Sequence, residues 1–353
     1  MSLRPLVPLA AVLGLVAVGV WVARGKPWER YTQPARVAVD STIKPRSAAE
    51  IIARPSARPR RPALTIQEML AGKTPTLEVA EMEAFLRDAG RTTVNLLAVS
   101  RLLKDLDYAR EAARAEPLNP LTQLELALRG ETPEEKAAAL AAFRRADPDN
   151  SLGDYLAAHQ AFQSADTGGA GAALLQALEA PLFTDYLEQS IDGSEQAFLH
   201  AGYDPPAAAL AAWNTLTIPS LPPLLGIADQ LESLQREFIR SADFDAAEPT
   251  VIIGLTLGRH LQEQGAFLLD HMVGMSIERR FLQQLDPLTA AGPGGQTAAE
   301  RLDRLQTNRI EIQEIGNLVG ATIGTVDQAT QAEYLARVRA DGELAAGRWY
   351  RDR

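Results

Sequence analysis

The stretch Tyr108-Ala109-Arg110-Glu111-Ala112-Ala113-Arg114-Ala115-Glu116-Pro117-Leu118-Asn119-Pro120 decides the fold class. Ala109 to Glu116 are good helix formers that run into a Pro-Leu-Asn-Pro break, and the residue before each proline is pushed away from helical geometry. Ala137 to Asn150, AAALAAFRRADPDN, repeats the arrangement, and Ala180-Pro181-Leu182 closes a third stretch. Pro117, Pro148 and Pro181 are 31 and then 33 residues apart. Such spacing holds two helices of about a dozen residues per unit, and a unit of that size buries its apolar face only against its neighbours. The same apolar periodicity of three and four, broken by Pro, Gly, Asp or Asn, begins near Leu77 and predicts an all-α protein.

Over residues 92–181 the chain resembles the tetratricopeptide-repeat superfamily. The resemblance rests on small Ala109 and Ala112 where paired helices approach, on Pro117 and Pro148 at the turns between units, and on Ala142, Phe143, Tyr155, Ala158, Ala161 and Phe162. It implies a superhelix of helix pairs whose concave face takes a peptide segment or another protein. Leu152, Tyr155, Phe162 and Leu178 are the candidate protein-binding residues. A compact bundle with turns at similar spacing is the alternative.

Outward toward the amino terminus, Leu6 to Ala23 is an unbroken apolar run of 18 residues. As a helix it spans about 27 Å, close to the hydrocarbon thickness of a bilayer. Trp21 and Trp28 suit its interfacial end. The candidate cleavage site at Val20-Trp21-Val22-Ala23 has valine where a small residue is preferred, which favours a retained signal anchor over a cleaved signal peptide. The expected location is the cell membrane, crossed once. Arg24, Lys26, Arg30 and Arg36 after the span point to a cytoplasmic body, whereas a short amino-terminal tail suits export of that body. Both orientations stay open.

The chain carries a net charge of −10, but residues 1–61 hold eleven Lys or Arg against three acids, a net of +8, leaving −18 on the remainder. An acidic body excludes non-specific nucleic-acid binding, which depends on cationic surface. Residues 25–62, rich in Pro, Arg, Ala and Ser, predict an extended or disordered tether. With no cysteine, disulfides, thiolate metal sites and a cysteine nucleophile are excluded.

Beyond Gly202 the expected helices lengthen: Leu224 to Ser241, then Pro249 to about Leu285 as one helix or two broken near Gly274, Thr297 to about Glu314, and a last one from Glu333 to Ala346. The organisation expected is an anchor over 1–24, a basic linker over 25–62, a repeated helical region over 63–200 and a long-helix bundle over 201–353. One polar constellation stands out. His260, Glu263 three residues on and His271 eleven residues on would share one side of a continuous helix, where imidazole and carboxylate could bind a metal or move a proton. Buried or surface histidines in ordinary hydrogen bonds are the alternative, and no cofactor and no catalytic residue is assigned. The Gly-rich runs Gly168 to Gly171 and Gly292 to Gly295 lack the Lys-Ser/Thr of a phosphate loop and read as connections. The function expected is a membrane-anchored interaction scaffold or a subunit of an envelope assembly. A helical metal protein or enzyme, and a structural protein self-associating through its long helices, are the alternatives.

Overall fold

The computed structural model describes residues 64–70, 73–291 and 295–353; the expected anchor and linker lie outside the described residues. Every regular element among the described residues is helical. The apolar periodicity and the breaks are what place them, and before α5 to α8 each break supplies a side chain that accepts a free N–H of the helix it precedes. Helix α1 (Ile66–Leu70), α2 (Val79–Ala89), α3 (Thr93–Leu103) and α4 (Leu106–Ala115) lead into α5 (Pro120–Arg129). Asn119 caps α5 at Leu121 N, 3.1 Å, and Pro120 takes the first helical position, where a missing N–H costs nothing. Thr132 caps α6 (Pro133–Ala146), Asn150 caps α7 (Ser151–Gln163), and Asp166 caps α8 (Thr167–Glu179).

The run Gly168 to Gly171, expected as a connection, forms the first turns of α8 instead. A Cβ at Gly169 would lie 2.3 Å from the Asp166 carboxylate, so glycine there leaves room for the cap.

Helices pair as neighbours in sequence: α3 with α4, α5 with α6, α7 with α8. Ala109, Ala112, Ala139 and Phe143 are buried along these contacts, small residues admitting close approach and the aromatic filling the space between pairs. The chain continues through α9 (Leu187–His200), α10 (Pro205–Asn214) and α11 (Leu221–Arg240). It then runs through α12 (Phe244–Gln264), α13 (Leu268–Leu282), α14 (Ala298–Thr322), α15 (Gln328–Asp341) and α16 (Glu343–Arg351).

Several helix ends differ from expectation: α12 begins at Phe244 with Pro249 inside it, and α14 runs on past Glu314 to Thr322. The break after α12 falls at Gly265 to Phe267, not at Gly274, because Asp270 accepts the Phe267 N–H and starts a new helix there. Gly274 marks a crossing: its ideal Cβ would lie 2.4 Å from the Gly258 carbonyl, so α12 and α13 touch backbone to backbone. The helix expected from Glu333 to Ala346 is divided at Gly342, whose φ of 84° is open to glycine at little cost.

The two halves share one core. Its buried apolar residues run from Met69 to Ile312, crossing the expected boundary at residue 200. Helix α9 turns back along α3, and α11 lies along α7. At the first of these crossings a Cβ on Gly193 would stand 2.9 Å from the Val94 carbonyl and 3.1 Å from the Ala98 Cβ. The first helices of the outer two pairs, α3 and α7, are therefore covered by the chain's own later helices.

Candidate functional site

Two residues singled out for rival functions meet in one cluster. Tyr155 on α7 and His260 on α12 are both buried, and the Tyr155 hydroxyl lies 3.3 Å from His260 Nδ1, with Ser151 Oγ at 3.5 Å. Phe183 stacks on the imidazole at a centroid distance of 5.9 Å, and Tyr155 meets it edge-on at 6.0 Å. Burial pushes the His260 pKa down to about 4, which keeps the ring neutral and hydrogen-bonded to the Tyr155 hydroxyl through Nδ1.

Phe183 belongs to the connection between α8 and α9, which is clasped from both sides. Ser151 N donates to the Leu182 carbonyl at 2.8 Å, and Asn150 both accepts from Thr184 N and donates to the Thr184 carbonyl. From the other side Phe183 N donates to Gln264 Oε1 at 2.7 Å. The cluster is thus a clamp between the paired helices and the carboxy-terminal half. Tyr155→Phe is expected to cost about 1 kcal/mol in urea unfolding, the net value of one buried hydrogen bond. A loss within experimental error would show that His260 finds another hydrogen-bond partner.

The expected metal or proton-handling trio is not assembled. Glu263 projects to solvent because the buried stripe of α12 ends at Leu261. His271 stands on a different helix, half-buried, since the break at Gly265 removes the continuous helix that its spacing required. Among the described residues no group of three or more His, Asp or Glu is placed to hold a metal ion.

The candidate protein-binding residues are likewise relocated. Leu152, Tyr155 and Leu178 are core side chains and Phe162 is half-buried, so no open groove is formed from these four. Helical phase alone does not separate a groove-facing residue from a core one, and here α9 and α11 supply the cover. One buried carboxylate of the paired helices is ion-paired from two sides. Glu125 on α5, fully buried at its side chain, takes Arg101 and Arg129 as ion partners at 2.5 Å each, and the two guanidinium groups outweigh burial and hold its carboxyl below the usual range.

A different surface is open. Where α10, the α10–α11 connection, the α12–α13 turn and the start of α16 converge, they leave a hollow of about 470 Å³. Its walls include Trp213, Leu216, Ile218, Phe267 and Leu269, and Glu343 is the charged side chain among the residues lining it. Trp213 and Phe267 meet edge to face at 5.1 Å and separate this hollow from a small recess beside Ile191 and Val338. Of the lining residues Leu269 is 52% exposed, and Met272, one turn further along α13, is 37% exposed.

The turns beneath are joined by reciprocal hydrogen bonds. Glu343 Oε2 accepts Leu268 N at 2.9 Å, and Glu343 N donates to the Ala266 carbonyl at 2.9 Å. Acidic side chains gather behind this wall, and burial works against their ionisation. Asp270 is 2% exposed; its Oδ2 accepts Phe267 N, while Oδ1 has no hydrogen-bond partner. Burial, then the neighbouring Asp185, pushes the Asp270 pKa up to about 7, and burial pushes Asp185 up to about 6. The Glu343 carboxyl is raised as well, by burial.

The sequence alone presents Trp213 as an isolated aromatic of the core or an interface and does not single out Leu269, Asp270 or Glu343. No local pattern joins them, because the hollow is built from three segments far apart in the chain.

Compared with protein-family models, with curated proteins and with solved structures, the chain matches none.

Proposed function

We propose that the chain is a membrane-anchored helical interaction scaffold or envelope-assembly subunit that engages a partner protein through the Trp213–Phe267 hollow. The observation that carries this reading is an open, apolar-walled concavity with the exposed Leu269 among its lining residues. Large aromatic side chains beside a pocket are the usual anchors of protein interfaces, and isolated exposed leucines are not. Glu343 in the wall and the −18 charge of residues 62–353 select a basic segment carrying a bulky apolar side chain.

The apolar run at residues 6–23 supplies the anchor in this reading. It lies outside the described residues, and no helix among those described is long and apolar enough to cross a membrane.

The test uses the full-length chain in its native membrane with a photo-crosslinking amino acid at Leu269, and separately at Leu118, a lone leucine 72% exposed in the α4–α5 turn. A stoichiometric adduct with a second protein is expected from position 269 and not from 118. Recovery of the bait alone from both positions would overturn the reading.

A further inference from the structure

Resting on the reading that the hollow is the contact surface, we propose that the Trp213–Phe267 partition is a proton-operated gate. With its proton in place, Asp270 holds Phe267 across the back of the hollow. Loss of that proton to water frees the turn and joins the hollow to the recess behind it, so that pH sets the depth of the site.

The geometry of the partition leads there. Trp213 and Phe267 line both the hollow and the recess, and their edge-to-face contact is the wall between them. Movement of Phe267 alone removes that wall and adds Ile191 and Val338 to the apolar lining. The backbone that carries Phe267 belongs to the short link between α12 and α13, not to a helix. Three hydrogen bonds from two acidic residues fasten it: Asp270 accepts Phe267 N–H, Glu343 accepts Leu268 N–H, and Glu343 N donates to the Ala266 carbonyl.

The second observation is the unsatisfied side of Asp270. The residue is 2% exposed and its Oδ1 has no hydrogen-bond partner. An ionised carboxylate there keeps one N–H bond and leaves its other oxygen dry, a cost larger than the start of a helix returns to it. The charges acting on it are both acids, Asp185 from the α8–α9 connection and Glu343 from α16. Neither neighbouring cation is free to compensate. Arg101 on α3 acts on Asp185 and is bonded to Glu125, and Arg339 on α15, at the recess, is paired with Asp192 and Glu195. Glu188 on α9 borders the same recess, its carboxyl raised by burial. On α13 itself His271 follows, its imidazole held below the ordinary value by burial and then by Arg348. Asp270 is therefore accommodated as the neutral acid, in line with a pKa pushed up to about 7 by burial. Once ionised it must turn toward water, and its bond to Phe267 N goes with it.

The chain has four tryptophans and no cysteine, which makes the test direct. In the full-length chain with Trp21, Trp28 and Trp349 replaced by Phe, acrylamide quenching of Trp213 is followed from pH 5.5 to pH 8.5, with helix content read by circular dichroism. Quenching is expected to rise at least about twofold at constant helix content, with a midpoint near the Asp270 pKa of about 7. Asp270→Asn, which stays neutral and keeps the acceptor for Phe267 N, should hold quenching at its low-pH level throughout. Asp185→Asn removes a like charge and should move the midpoint to lower pH. His271→Gln and Glu188→Gln should leave it in place. As a second readout, Val338→Cys, a recess position 4% exposed, should react faster with a neutral maleimide at high pH than the same cysteine in Asp270→Asn.

A signal independent of pH, a transition that survives Asp270→Asn, or quenching that rises only as helix is lost would each overturn the proposal. The partner adduct at Leu269 is a separate measurement. Its absence would remove the scaffold reading, and the gate would still be decided at Trp213.

Discussion

Gly274→Ala destabilises this protein by about 3 kcal/mol or more, while the same exchange at Gly316 stabilises it. Alanine is the better helix former by about 1 kcal/mol, so a glycine inside a helix with open space around it is improved by the change. Gly316 on α14 is such a position, with no atom within 4 Å of a Cβ built there. At Gly274 the Cβ would lie 2.4 Å from the Gly258 carbonyl and 3.0 Å from the side chains of Leu261 and Gln262. No rotamer relieves a contact between a Cβ and a backbone oxygen, so the helices must separate.

Separation would be felt along the whole α12–α13 contact. Gly254, one turn before Gly258, already leaves only 2.2 Å between its ideal Cβ and the Phe281 ring. The strain therefore takes the upper end of overpacking costs. Urea denaturation of the two single variants beside wild type decides it: opposite signs are expected, and a loss below about 1 kcal/mol at Gly274 would mean that the crossing is not held by backbone contact.

The second large effect is a pH-dependent difference between Asp270→Asn and wild type. The Asp270 carboxyl rises from 3.8 to about 7 on folding. The folded protein therefore holds this proton more tightly than the unfolded chain does. The associated stability is complete below pH 3.8 and is lost as pH rises through 7. At 1.36 kcal/mol per pH unit the full span is about 4 kcal/mol, an upper figure because Asp185 titrates nearby. Asparagine stays neutral and keeps an acceptor for Phe267 N. The stability of the variant relative to wild type should climb by about 2–4 kcal/mol between pH 4.5 and pH 8.

His260 acts in the opposite sense. Its folded pKa of about 4 lies below its ordinary 6.5, so its contribution is complete above pH 6.5 and lost as pH falls toward 4. The wild-type profile alone mixes the two, which is why the difference curve is the measurement. A flat difference curve would place Asp270 in contact with solvent.

The range of the forces involved sets how much of this is legible in the chain. Helical class and the phasing of α4 to α8 are written locally, in alanine-rich runs and in Asn119 and Asn150, whose side chains cap the helices they precede. Pairing of neighbours comes from short connections. What is not legible is which face of a helix a distant element covers. Leu152 and Tyr155 have the apolar character of groove residues, and only the return of α9 and α11, tens of residues later, makes them core.

Gly274 shows the same ambiguity at one residue. Glycine breaks a helix or lets another helix in, and the distinction lies in Gly258, sixteen positions away. His260 and Glu263 are separated from His271 by a turn whose signal, Asp270 accepting the Phe267 N–H, is a single hydrogen bond. The hollow at Trp213 has no local signature, since its walls converge from three stretches of chain.

The return of α9 onto α3 and of α11 onto α7 has a consequence for how this architecture can change over time. In an open stack of helix pairs a unit can be gained or dropped at the cost of roughly one nearest-neighbour interface. Here α3 and α7 are both fastened to later helices, so inserting a pair between them would pull one fastening out of register with the other. The number of pairs between α3 and α8 is locked by closure, much as the number of staves is locked by the hoop of a cask. Length variation among descendants of this chain is then expected outside that interval, in the stretch before α1 and in the α13–α14 connection.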